Sequence, residues 1–147
     1  MRYFLILLVF GLAAVEGMRK QGIAAKGRLL CGALPAASNT TKIPLNVLQC
    51  LFFFGPDPND TLEEKFVDEK GEFKLLGFTR ELTDIDPVAI IWHECMDEAT
   101  PCSRKVKFVI PKKYIISTDP ESDDQWIDFG VINLQSTFAD EKRECIS

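Results

Sequence analysis

The chain has 147 residues, a formal net charge of −5, 46% hydrophobic residues and five cysteines. This length predicts one domain with a single hydrophobic core. The acidic balance and the scattered basic residues exclude the concentrated basic face that nucleic acids need, so we expect no nucleic-acid partner.

The first 17 residues predict a secretory signal peptide. Arg2 provides a cationic start, residues 3–12 form an apolar run, and residues 15–17 provide the cleavage site. The run is shorter than the roughly 20 apolar residues that span a bilayer, which argues against a membrane anchor. We therefore expect cleavage after Gly17, a mature domain of residues 18–147, and a secreted, extracellular protein.

The cysteines and two glycosylation triplets agree with export. All five cysteines lie in the predicted mature domain, and disulfides persist in the oxidising compartments that exported proteins meet. Because five is odd, at least one cysteine needs another explanation. Asn-X-Thr triplets in polar, turn-like segments predict a glycoprotein that is modified at Asn39 and Asn59.

Hydrophobic periodicity predicts β-strands throughout the mature domain. Alternating or continuous apolar patterns mark the segments 23–31, 43–54, 88–95, 104–110 and 126–134. The segments 43–54 and 88–95 are apolar on both faces, so both faces must avoid water. No long stretch keeps a 3.6-residue apolar period, and the expected fold class is therefore mainly β, a two-sheet sandwich of seven or eight strands.

A shorter pair of strands is predicted in the middle of the chain. Residues 61–68 and 72–75 flank a turn at residues 69–71, which predicts a hairpin. Residues 77–86 are expected to form a longer connection to the strand that follows.

No catalytic or metal site is expected. His93 is the only histidine, and a general base needs further groups in its constellation that this chain does not supply. We therefore expect a structural, hydrogen-bonded histidine. Residues 57–68 have the spacing of a calcium loop, but Leu62 replaces its glycine and Asp68 its final glutamate, so neither a metal nor another cofactor is expected.

Several short motifs resemble a known family. They are GRLLCG at 27–32, GEFKLLG at 71–77, IDP at 85–87, HEC at 93–95, PCSRKV at 101–106, IPKKYI at 110–115, DFGVINL at 128–134 and EKREC at 141–145. Together they resemble the nematode transthyretin-like family of small secreted proteins, which implies a transthyretin-like β-sandwich. The related hydroxyisourate hydrolases use several histidines and end in Tyr-Arg-Gly-Ser, whereas this chain ends in Glu-Cys-Ile-Ser, so we expect no enzyme.

The family's cysteines match Cys31, Cys95, Cys102 and Cys145, which leaves Cys50 as an addition of this chain. Four cysteines allow three pairings. We expect Cys95 to pair with Cys102, because a six-residue connection between neighbouring strands can bring them within reach. Cys31 would then pair with Cys145 and join the first strand to the C-terminus.

The resemblance also identifies a departure from the family. Positions that commonly carry polar residues are apolar here, and they would share one face of neighbouring strands: Leu48, Cys50, Phe52, Val88, Ile90 and Trp92. An exposed apolar patch formed by these six side chains marks a contact site, unless a loop or the C-terminal tail covers it. We expect a non-enzymatic binding or carrier protein for a small apolar ligand, with a possible homodimer through Cys50 unless that thiol is buried. The alternative is a signalling or bridging protein that recognises an extracellular protein receptor or a cell-surface lipid.

Overall fold

The computed structural model describes residues 17–48, 50–51, 55–56, 60–97 and 99–145. Two β-sheets pack face to face in this part of the chain, so the expected mainly β sandwich is confirmed. Of the predicted signal peptide only Gly17 is described, and that segment stays a prediction. Among the described helices, none is long and apolar enough to cross a bilayer.

Strands account for nearly all of the regular structure. In chain order they are β1 (Arg19–Cys31), β2 (Leu34–Pro35), β3 (Lys42–Leu48), β4 (Cys50–Leu51), β5 (Gly55–Pro56), β6 (Asp60–Phe66), β7 (Glu72–Glu81), β8 (Asp86–His93), β9 (Ser103–Val109), β10 (Trp126–Asn133) and β11 (Lys142–Glu144). Two single-turn 3₁₀ helices, Lys112–Tyr114 and Asp123–Gln125, precede β10.

Sheet 1 is built around β1. Strands β7 and then β2 pair antiparallel with one edge of β1, and β10 pairs parallel with the other. Sheet 2 has the order β11, β9, β8, β3, β6, with all neighbours antiparallel. The short strands β4 and β5 pair only with each other among the described residues.

The core lies between the two sheets and contains every second residue of the long strands, as the period-2 pattern predicts. Its fully buried members include Ile23, Ala25 and Leu29 of β1, Ile43, Leu45 and Val47 of β3, Leu75 of β7 and Ile91 of β8. Chains of edge-to-face and tilted aromatic contacts extend it, from Phe73 to Phe129, Phe108 and Phe138.

The predicted hairpin of residues 61–68 and 72–75 is wrong. β6 pairs with β3 in sheet 2, whereas β7 pairs with β1 in sheet 1 along ten residues. The turn between them is as expected, since the Asp68 carboxylate accepts the backbone N–H groups of Lys70 and Glu72. Alternation and turn residues identify two strands and a reversal of the chain, but they do not say which sheet each strand joins.

The same pairing explains why residues 77–86 are not simply a connection. β7 continues to Glu81 because Arg19–Ile23 of β1 offers it a partner that far. Within the predicted strand 43–54, the described residues form β3, which ends at Leu48, and the separate short strand β4. Residues 49 and 52–54 lie outside the described residues.

Two disulfides join the four family cysteines, but the expected pairing is wrong. Cys31 bonds Cys95 with 5.6 Å between their Cα atoms, and Cys102 bonds Cys145 with 4.3 Å. Cys31 at the end of β1 and Cys95 just beyond β8 lie at the same end of the sandwich. Cys145 meets Cys102 because β11 pairs with the start of β9, where Glu144 lies opposite Ser103.

We expect peptide mapping under non-reducing conditions to recover the Cys31–Cys95 and Cys102–Cys145 links. The two bonds close loops of 64 and 43 residues, and the loop-entropy relation then assigns each about 4 kcal/mol. Replacing Cys102 and Cys145 together by alanine should therefore lower the free energy of unfolding in urea by up to that amount. Cys50→Ser is the control, which leaves both bonds intact, and a peptide that links Cys95 to Cys102 would contradict the assignment.

Candidate functional site

Arg104 is the centre of a buried polar cluster at the disulfide-bonded end of the sandwich. It is 8% exposed and lies on β9 opposite His93 of β8. Its guanidinium forms a two-point contact with the Glu141 carboxylate at 2.6 and 2.8 Å. It also donates to the backbone oxygens of Cys95, Leu134 and Ser136. These five contacts use all five N–H donors of the side chain.

His93 lies at the end of β8 with no solvent exposure. Its Nδ1 atom accepts the backbone N–H of Cys95 at 3.3 Å, and Nε2 has no hydrogen-bond partner among the described residues. Burial, and secondarily the positive charge of Arg104, lower the pKa of His93 to about 4, against the opposite influence of Glu141 and Asp97. The imidazole is therefore neutral near pH 7. Its setting is that of a structural residue without access to substrate.

A second ion pair anchors the C-terminal segment to the same end. Asp97 accepts two hydrogen bonds from Arg143 at 2.6 and 2.7 Å, and Arg143 also donates to the backbone oxygen of Cys102. The Arg143 guanidinium lowers the pKa of Asp97. Together with the Cys102–Cys145 bond, this pair holds β11 against β9. Four of the five side chains in the C-terminal EKREC motif thus have structural partners, namely those of Glu141, Arg143, Glu144 and Cys145.

Removing the charge of Glu141 from the Arg104–Glu141 pair should lower the stability of the protein substantially. Replacing Glu141 by glutamine leaves the Arg104 cation buried without its counter-ion, which typically costs 3–5 kcal/mol of stability, a range we expect roughly here. Glu144→Gln is a matched control, because Glu144 pairs with Lys105 and its side chain is 53% exposed, so its loss should cost about 1 kcal/mol or less. Urea unfolding of both variants gives the comparison. Equal losses of unfolding free energy in Glu141→Gln and Glu144→Gln would show that the Arg104–Glu141 pair behaves as a surface pair.

The buried histidine predicts a pH dependence of stability. An unfolded chain protonates His93 near pH 6.5, whereas the folded protein does so near pH 4, so the unfolded state binds more protons between these values. The contribution of the neutral His93 to the free energy of unfolding is complete above about pH 6.5. It should fall by roughly 2–3 kcal/mol as the pH is lowered toward 4. In His93→Gln, unfolding free energies measured from pH 7 to pH 4.5 should lose this slope. An unchanged slope would assign it to other groups.

The predicted interaction face lies on the outer side of sheet 2. Strands β3 and β8 are neighbours, so Leu48, Val88, Ile90 and Trp92 share this side. The expected exposure is wrong for Val88 and Ile90, which are 1% and 3% exposed, and Leu48 and Trp92 are half-buried. β8 is a central strand, and neighbouring side chains shelter it: the Lys105 ammonium, for example, lies 4.7 Å from the centre of the Trp92 ring.

Of the remaining predicted site residues, one is exposed and the others lie outside the described part of the chain. Asn39 is exposed in the turn before β3, where a glycan has access to solvent. Asn59 and Phe52 lie outside the described residues, as does the Cys50 side chain. Glycosylation and a Cys50-linked homodimer therefore stay predictions.

The open part of the sheet 2 outer face is displaced by one strand from the predicted patch. A groove of about 430 Å³ lies there, lined by Ile90, Lys105, Lys107, Val109, Asp140 and Lys142. We call it the β8–β9 groove. Val109 is 73% exposed, and Ile90 lies almost fully buried beside it.

Val109 and the lysines of the groove were not among the site residues predicted from the sequence. The alternation of β9 places Val109 on the same face as Lys105 and Lys107, which was a usable signal. What the alternation does not show is that β11 places Lys142 opposite Lys105, because that contact joins residues distant in sequence.

Known proteins resemble this chain over most of its length. The sequence model of the transthyretin-like family matches residues 26–111. Transthyretin-like protein 46 of Caenorhabditis elegans is 43% identical, across 99% of this chain and 78% of its own. Transthyretin-like proteins 33 and 2 of the same organism are 37% and 33% identical, with 89% and 97% of this chain covered and 86% and 95% of theirs. A 9R-lipoxygenase structure from Cyanothece aligns with a TM-score of 0.33 and 16% identity, over 82% of this chain and 17% of its own, which is too weak to carry an argument.

Proposed function

The chain belongs to the transthyretin-like family, and from this premise we propose that it is a secreted, non-enzymatic carrier of a small apolar ligand with an acidic group. The observation that carries the proposal is the β8–β9 groove, where an exposed valine lies among three lysines. Ligand sites in proteins typically combine an apolar lining with a few charged groups that orient the ligand.

The apolar part of the groove supports a hydrocarbon moiety. Ile90 and Val109 face it from neighbouring strands, and Val109 alone leaves most of its side chain in water. Covering an aliphatic side chain of this size is favourable by about 1.5–3 kcal/mol, so a ligand that shields Val109 gains binding energy directly.

The charges of the groove support an acidic group on the ligand. Lys105 and Lys142 are cross-strand neighbours, and like charges in that position repel each other. Glu144 offsets Lys105 at 2.6 Å, whereas Lys107 and Lys142 make no ion pair with any described residue. A carboxylate bound between these lysines would reduce the repulsion, and Asp140 at the same rim would disfavour a second negative charge.

The polar cluster around Arg104 supports a non-enzymatic role. All five donors of Arg104 have partners, and His93 has no contact with solvent. Two disulfides support an oxidising, extracellular location together with the apolar start of the chain.

The two tryptophans of the chain make the proposal testable with simple probes. Trp92 lies under Lys105 at the groove, so in a Trp126→Phe background its fluorescence reports on this site alone. We expect saturable binding of dodecanoate that is at least about tenfold tighter than binding of dodecanol, which has the same chain without the charge; tenfold corresponds to 1.4 kcal/mol. Both probes should also protect the protein against unfolding.

Two variants separate the apolar and the charged contributions. Val109→Asp should weaken both probes at least about tenfold, because it places a charge against the hydrocarbon chain. Lys107→Gln with Lys142→Gln should weaken dodecanoate and leave dodecanol unchanged. If neither probe binds, or if Val109→Asp binds both as well as the parent does, the proposal fails.

A further inference from the structure

The outer face of sheet 1 has an unusual arrangement of basic residues. Lys20 lies directly opposite Arg80, and Lys26 directly opposite Lys74, in the pairing of β1 with β7. Each of these positions points away from the core, because the residues that β1 contributes to the core, Ile23, Ala25 and Leu29, are odd-numbered and point to the other face. We call this surface, with the outward residues of β10, the β1–β7 face.

Two like-charged cross-strand pairs on one face break a local rule of sheet stability, since like charges directly opposite each other destabilise a sheet. Structural compensation is visible for three of the four side chains. The Lys20 ammonium lies 3.9 Å from the Phe78 ring centre, that of Lys74 lies 4.2 Å from the Trp126 ring centre, and Lys26 contacts Asp123 at 2.6 Å. A repeated local cost of this kind is typical of a surface kept for binding.

A flat apolar floor connects the two basic pairs. Gly22 and Ala24 of β1 lie between them, and both are buried. Phe78 lies against Gly22 so closely that a Cβ atom there would come within 2.2 Å of its ring. Leu76 and Trp126 flank Ala24 from the two neighbouring strands. The six residue-to-residue steps from Lys20 to Lys26 span about 20 Å of extended chain.

The charge of this face contrasts with that of the whole chain. Its described residues include five basic side chains, with Arg28 as the fifth, against three acidic ones, Glu72, Asp123 and Asp128. The complete chain carries a net charge of −5. A basic strip on an acidic protein attracts anions and orients them toward that strip.

The pairing of β1 argues against a peptide that adds to this central strand as the partner. Peptides that add to a sheet need a free strand edge, and both edges of β1 are taken, by β7 on one side and by β10 and Ile116 on the other. The face is also poorly suited to insertion into a bilayer, because its ring and aliphatic side chains are half-buried and lie along the sheet.

We propose that the β1–β7 face binds a linear anionic polysaccharide, with sulfate or carboxylate groups at the two basic pairs and sugar rings over the apolar floor. A long, flexible anion can reach both pairs, whereas a small anion reaches only one. This surface lies on the opposite side of the sandwich from the β8–β9 groove and is independent of the proposed ligand.

The test uses the full mature chain with Trp92→Phe, which leaves Trp126 of this face as the only reporter, and a heparin oligosaccharide as the probe. Binding should change Trp126 fluorescence and should weaken steeply with added salt. Lys26→Gln with Lys74→Gln, and separately Lys20→Gln with Arg80→Gln, should each reduce the affinity at least about tenfold. Neither double variant should be less stable than the parent by more than about 1 kcal/mol, because each also removes a repulsion.

A charge-matched control distinguishes the strip from general electrostatic attraction. Lys107→Gln with Lys142→Gln removes the same charge from the opposite face and should leave heparin affinity within about twofold of the parent. Equal losses from all three double variants would overturn the proposal, and so would the absence of binding. A preference for phosphatidylserine-containing vesicles over the oligosaccharide would also overturn it, in favour of a lipid surface. Loss of dodecanoate binding has no bearing on this result, since that probe reports on the other face.

Discussion

Burying the guanidinium of Arg104 costs several kcal/mol of hydration unless its donors are paired. The fold meets this condition by bringing Cys95, Leu134, Ser136 and Glu141 to one point, from segments that follow β8 and β10 and precede β11. Each partner is therefore constrained by the others. The Cys31–Cys95 bond and the neutral His93 lie against the same point, so the contacts at this end of the sandwich depend on one another.

The two surfaces proposed for binding lie on the outer faces of the two sheets. Both carry like-charged cross-strand pairs next to a tryptophan: Lys26 and Lys74 near Trp126 on sheet 1, and Lys105 and Lys142 near Trp92 on sheet 2. The outer faces of the two sheets differ in shape. Sheet 1 presents a long, flat strip, and sheet 2 presents a groove beside an exposed valine. One fold can thus offer surfaces suited to a polymer and to a small molecule, because a sandwich exposes two independent faces.

The seven long strands were largely predictable, because alternation of apolar side chains reports directly on which residues face the core. The wrong predictions concern which strands lie next to each other in the fold. β6 and β7 follow each other through a tight turn and yet join different sheets. Val88 and Ile90 lie on the outer face of sheet 2, where the resemblance implied an exposed patch, and they are nevertheless sheltered. In both cases the deciding contacts join different strands, which the local pattern of one strand does not record.

The sequence by itself determined the mainly β class, the strand positions, the family and the four bonded cysteines, because each follows from local pattern or from short motifs. Only the tertiary structure decided that Cys31 bonds Cys95 and Cys102 bonds Cys145. Short separation along the chain favours the other pairing, but β1 and β8 end side by side across the core while β11 returns to β9. The basic pairs of sheet 1 have the same origin, since only strand register places Lys20 opposite Arg80 and Lys26 opposite Lys74.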